Sequence, residues 1–334
     1  MKQTILTIAA TALCIAACTN EDHISQDPLA DTPIKLNVSV TNPTTRAGYS
    51  NALKPDTFQL RVYHSSPNNN DKYNFDIFAE KVEGTWKTYD LNAYRPNNNP
   101  NNNKVKKEVT MFWANMKDPV TVRAYVNNIQ ADRFPTDQSV AEQLKKADIL
   151  YMSNTQVAPN KDGINVEFQH IMSKINLTIE LGTEYEFTDH IDQKITDVKI
   201  GGTIVKISEA GVNDIDNINI IADATAGVVK SITPLCTGTK PFSNNAGTIT
   251  KASASYEAIL IPQTIASGKF YVSFKVNGKA YEWFYNEAEP LELKANGVYE
   301  IHLTAGSDKV SSAAFSTKTW SGGNGENGEM KQTD

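Results

Sequence analysis

Cysteine is nearly missing from this chain: 334 residues carry three, Cys14, Cys18 and Cys236, and two of these fall within the first eighteen positions. No disulfide framework can be built from that set, so an apolar core must hold the folded part. No excess of positive charge exists either. Lys and Arg number 32 against 38 Asp and Glu, a net charge of -6, and the bases are scattered among acids, which excludes a nucleic-acid partner. The five histidines, His23, His64, His170, His190 and His302, never take the spacing of a metal or metalloprotease motif. No GxSxG elbow, phosphate-binding glycine loop or dinucleotide fingerprint occurs. The expectation is a protein that is not an enzyme, with no cofactor and no metal. Beyond the N-terminus no apolar run approaches the length that a membrane-crossing helix requires.

What is present begins with an export signal. Residues 1–17 join Lys2 to an apolar stretch from Ile5 to Ala17, too short to span a bilayer and suited to a secretory signal peptide. Its end, Ile15-Ala16-Ala17-Cys18, resembles a bacterial lipobox, which implies acylation of Cys18 and anchoring by more than one acyl chain. The acids Glu21 and Asp22 resemble the sorting signal for the outer face of the cell outer membrane. A surface-exposed lipoprotein is expected, with the outer membrane as a partner through the lipid.

With 40% hydrophobic and 9% aromatic residues, the rest of the chain has material for two cores. Ile34, Leu36, Val38 and Val40 alternate with Lys35, Asn37 and Ser39, the period of a half-buried strand. Phe58, Leu60 and Val62 repeat the pattern. Further strands are expected at 73–79, 86–91, 109–113, 120–125, 164–168, 174–179, 195–200, 204–207, 256–261, 270–276, 281–285 and 298–303, from their β-branched and aromatic residues. One helix is expected over about 138 to 149, capped by Asp137, with Val140, Ala141, Leu144 and Ala147 on its apolar side. The pattern reads as all-β with one short helix, divided near residue 170.

Candidate chemistry is sparse. Cys236 reads as a small core thiol. His170 reads as a strand-edge residue bonded locally. Glu184 with Glu186, and Asp214 with Asp216, have the spacing of an acid/base pair, but residues two apart share a strand face without any function. Around Asp214 and Asp216 the run resembles a calcium loop, yet Ile218 stands where an oxygen ligand is needed, so a metal there stays open.

Several motifs lie in a recognisable order: the lipobox ending at Cys18, Thr45-Arg46-Ala47, Ala147-Asp148-Ile149-Leu150-Tyr151, Phe168-Gln169-His170-Ile171-Met172-Ser173-Lys174-Ile175, and Trp320-Ser321-Gly322-Gly323. In these the chain resembles the fimbrillin-like lipoprotein family, the type V pilus subunits with their tip and anchor components. The resemblance implies two tandem transthyretin-like β-sandwich domains. It also implies cutting between Arg46 and Ala47 by an arginine-specific protease, and assembly with other pilus subunits by donor-strand exchange. The expected organisation is then a signal peptide (1–17), a lipidated segment with a removable strand (18–46), an N-terminal β-sandwich (47–168), a C-terminal one (169–320) and a flexible tail (321–334).

The physics of the removable strand agrees. Ile34, Leu36, Val38 and Val40 lie upstream of Arg46, so a cut there frees them and leaves an apolar groove with an open edge that another strand can refill. One departure bears on role: residues 310–320 are rich in serine and threonine and alternate poorly, so a tip, accessory or anchor subunit is as strongly expected as a stalk pilin. The alternative reading is a non-polymerising surface lipoprotein that binds a glycan or host protein, with Trp86, Trp113 and Trp283 as candidate contacts.

Overall fold

A computed structural model describes residues 31–40, 54–64, 72–91, 106–126, 134–185, 194–208, 220–223, 229–245, 248–319 and 331–333. The first strands in chain order are β1 (Leu36–Val40), β2 (Thr57–His64), β3 (Phe75–Val82), β4 (Thr85–Asp90) and β5 (Val120–Val126). The helix α1 (Ala141–Ala147) follows, then β6 (Leu150–Val157) and β7 (Ile164–His170). The seven strands form one sheet in the order β1-β7-β6-β5-β2-β3-β4. On a flat sheet β2 and β7, three ladder steps apart, would be separated by about 14 Å. The rings of Phe58 on β2 and Phe168 on β7 nevertheless meet at 5.4 Å, so the sheet folds over and its halves face each other. Val40, Phe58, Ile77, Trp113, Val122 and Phe168 share this first core.

The remaining strands are β8 (Ser173–Leu181), β9 (Ile195–Ile204), β10 (Val229–Ile232), β11 (Leu235–Lys240), β12 (Ser243–Asn245), β13 (Thr248–Thr250), β14 (Ser253–Leu260), β15 (Gln263–Ile265), β16 (Tyr271–Val276), β17 (Lys279–Phe284), β18 (Leu291–Leu293), β19 (Gly297–Ala305), β20 (Val310–Thr319) and β21 (Lys331–Thr333). A six-stranded sheet β11-β14-β8-β19-β20-β21 and a four-stranded sheet β10-β9-β16-β17 make the second body, with β12-β13 and β15-β18 as small ribbons. Leu177 and Ile301 from the larger sheet, and Ile200, Val272 and Phe274 from the smaller, join in one second core, as in a two-layer sandwich. The chain is all-β with a single short α-helix among the described residues.

Two hairpins show how sequence sets the turns. Asn277-Gly278 joins β16 to β17 and Glu83-Gly84 joins β3 to β4. In both pairs each residue has positive φ (51° and 83°, 49° and 83°), the two-residue turn whose twist matches that of the strands.

The helix departs from expectation. It starts at Ala141 after Val140, which is extended, and no side chain caps it. Asp137 is not the cap, because residues 136–138 pair with Thr233 instead: the Gln138 amide N–H donates to Thr233 O at 2.9 Å, and Thr233 N donates to Thr136 O at 2.8 Å. The fully buried Gln138 side chain also bonds Ile259, donating to its carbonyl and accepting from its amide, each at 2.8 Å. Phe134, Leu144, Ala147 and Ile149 consequently pack in the second core although β5 and β6 flank them in sequence.

Three other differences have physical reasons. Residues 109–113 make no strand: the Val109 amide bonds Thr88 O beside β4, while Met111 and Trp113 bond residues 31–34, so the segment serves two neighbours in turn. Residues 204–207 are split between the end of β9 and an isolated bridge at Ile207. The tail expected to be flexible contributes β21, which pairs Lys331–Thr333 with Ala313–Phe315, since a ladder needs only backbone groups.

Candidate functional site

Strand β1 is the site to which the processing expectation points. It lies at the edge of the seven-stranded sheet and runs parallel to β7, in the register Leu36↔Ile164 to Val40↔Phe168. Its alternation is real: Val38 and Val40 are buried in the first core, Ile34 and Leu36 pack partly against it, and Asn37 faces out. Burying two valines is worth about 3–6 kcal/mol. Upstream, Asp31 N and Ile34 N donate to Trp113 O and Met111 O, each at 2.9 Å, and Trp113 N donates to Thr32 O at 3.0 Å. Lys72 Nζ and Tyr73 OH both reach Asp31 Oδ1 at 3.0 Å and hold its carboxyl below the usual carboxylate range.

Two contacts fix β1 sideways. Asn37 Nδ2 donates to Asp162 O at 3.0 Å and to Asn165 Oδ1 at 3.1 Å. Lys35 O accepts from Ile164 N at 2.8 Å, directly over Gly163. Gly163 has φ +91°, and a Cβ there would stand 2.3 Å from Lys35 O, so β1 docks this closely only because the residue is glycine.

At its far end β7 enters a buried polar junction. His170 Nδ1 lies 2.8 Å from Asp148 Oδ1 with both side chains at 0% exposure, which corrects the strand-edge expectation for His170. Four residues on, Lys174 Nζ lies 3.0 Å from Glu257 Oε2, with side chains 1% and 10% exposed. Burial pushes the Lys174 ammonium pKa down, against the pull of Glu257. Ile171 N also donates to Ile149 O at 3.3 Å, and Leu150 pairs with His170 across β6 and β7. The two motifs around Asp148 and His170 thus meet in space, between Phe168 of the first core and Met172 of the second.

A family model described as fimbrillin-like matches residues 45–320 of this chain. The chain belongs to the fimbrillin-like family. Membership carries a structural, fimbrial role at the cell surface, with other fimbrial subunits as partners. Among solved structures, a candidate cell adhesion protein from Bacteroides ovatus superposes with TM-score 0.52 at 13% identity, over 91% of this chain and 100% of that one. Another from Bacteroides uniformis gives 0.51 at 16% identity, over 86% and 98%. These likenesses show a shared fold. No curated protein matches the chain significantly.

Within this fimbrillin-like chain, Cys18, Arg46, Ala47, Asp214 and Asp216 lie outside the described residues, as do Glu186 and Trp320. Cys236 is exposed on the edge strand β11, which corrects the core-thiol expectation: among the described residues β11 has one strand neighbour, and most of its side chains are exposed. Of the candidate ligand contacts, Trp113 is 1% exposed and belongs to the core. Trp86 packs edge-on to Phe58 at 4.9 Å, and Trp283 on Phe270 at 6.5 Å, so both are committed to packing. Reasoning from sequence missed Gly163 and the buried partners Asp148, Lys174 and Glu257; the signal it could have used is the glycine that directly precedes the alternating run 164–168.

Proposed function

We propose that this chain is a pilus subunit exported as a lipoprotein acylated at Cys18, cut between Arg46 and Ala47, and joined to its neighbours when an incoming strand takes the place of β1. The observation that carries the reading is the position of β1: among the described residues an edge strand with one ladder partner, with two valines in the core and Arg46 shortly downstream in the sequence. An edge strand can leave without removing any inner strand of its sheet, and what it leaves behind is a row of free backbone groups beside an apolar slot.

The test is to treat the purified chain with an arginine-specific protease. The N-terminal residue of the product should be Ala47, its melting temperature should fall, and a synthetic peptide of residues 31–40 should restore it, because a ligand of the folded state stabilises that state. A product that keeps its melting temperature and binds no peptide overturns strand exchange and leaves the non-polymerising surface lipoprotein. The lipid has its own test: Cys18→Ala should move the protein from membrane to soluble fractions, and a variant that still takes up labelled fatty acid rejects the lipobox.

A tip, accessory or anchor position is supported by β20. This C-terminal strand is paired with β19 from Val310 to Thr319 and with β21 over three residues, so it is built into its own sheet.

A further inference from the structure

Strands β6 and β7 neighbour each other in the sheet but stay paired at two positions only, Leu150↔His170 and Tyr151↔Gln169. Beyond these, the ladder between β5 and β6 shifts register between Val122 and Ala124, and from there β6 follows β5 and parts from β7. The gap is a cavity of about 470 Å³, within the range of small-molecule sites. Ser153, Thr155 and Gln156 line it from β6, and Asn165, Glu167 and Gln169 from β7.

We infer that this opening is a binding site for a neutral saccharide. Amides and hydroxyls both donate and accept, which is what a ring bearing several hydroxyl groups requires, and Glu167 adds a strong acceptor. Among the described residues neither lysine nor arginine lines the cavity, so none of them offers a cation to an acidic sugar, a phosphate or a sulfate. Met152 and Val157 supply small apolar patches for the C–H faces of a sugar, too little for a lipid chain.

Two walls are held in place before any ligand arrives. Gln156 Nε2 donates to Thr121 Oγ1 at 2.7 Å, and Asn165 Oδ1 accepts from Asn37 Nδ2 at 3.1 Å. Such fixed polar groups lower the ordering cost of binding. An extended peptide is the competing occupant, but it needs pockets for alternate apolar side chains, and the exposed β7 residues here are Asn165, Glu167 and Gln169. The site uses the uncut chain, so it stands or falls separately from strand exchange.

The experiment is a glycan array of neutral and acidic mono- and disaccharide termini probed with the intact chain. Hits are followed by saturation-transfer NMR on the wild type, Glu167→Ala and Gln169→Ala. Both residues are exposed, so the variants should keep the wild-type melting temperature. The expected result is saturable binding of at least one neutral sugar, weakened at least tenfold in each variant. Absence of any neutral signal, equal binding by the variants, equal binding of glucuronic acid, or displacement of the sugar by an alternating valine-threonine peptide overturns the inference.

Discussion

Gly163→Val should expel β1 from the sheet and cost the protein at least about 3 kcal/mol in urea unfolding, since burying two valines is worth that much or more. Two effects act together. A β-branched residue at φ +91° is strained wherever it stands, and here its Cβ would also press into Lys35 O, a backbone atom that can retreat only if β1 moves. Gly84→Ala is the control: φ is +83°, but nothing lies within 4 Å of the added Cβ, so the cost should be about 1–2 kcal/mol of backbone strain alone. Hydrogen exchange locates the damage. In Gly163→Val the amides of β1 and of residues 164–168 should lose protection while those of β8 and β19 keep theirs. Retained protection in β1 would mean that the close approach at Gly163 does not hold the strand.

Breaking the buried pair on β8 should be nearly as costly. Lys174→Met takes from Glu257 the ammonium beside it, and Glu257→Leu leaves Lys174 with only the weaker pull of Asp148 and Glu300. Each should lose about 3–5 kcal/mol, the usual cost of removing one partner of a buried pair, with Glu257→Leu at the lower end because Asp148 and Glu300 remain. The double variant should recover most of that loss, because two apolar side chains of similar volume avoid the desolvation that already pushes the Lys174 pKa down. A double-mutant cycle in chemical denaturation reads the coupling. Additive losses would show that the 3.0 Å contact carries no energy.

How far the sequence was legible follows from how each strand meets water. Residues 164–168 alternate without a break and 174–179 nearly so; both are strands with one apolar face inward, and both were readable. Strand β6 was not, because its bulge disrupts the period in Leu-Tyr-Met-Ser-Asn-Thr-Gln-Val. Strand β11 was missed because its side chains lie largely at an exposed edge, so no apolar alternation is demanded of it. Period-two reading also assigns charged residues to the solvent side, which is why Lys174 and Asp148 gave no hint of burial: each is tolerated inside only through a partner distant in sequence. The parallel pairing of β1 with β7 is likewise a property of topology, invisible to any local pattern.

That parallel pairing also decides how the protein answers to force. Suppose the chain is held through residues ahead of β1 and loaded through the rest of the molecule, which resists from the C-terminal end of β7 at His170. The pull then runs along the strand axes, and β1 is dragged lengthwise over β7. Every backbone bond of the pair takes its share of the load at once, and Val38 and Val40 must leave the core in the same step. An antiparallel edge strand in that position would peel, one bond after another, at a much smaller load. A fold tethered through residues ahead of β1 therefore has a fastening that tension along the strands opens only with difficulty.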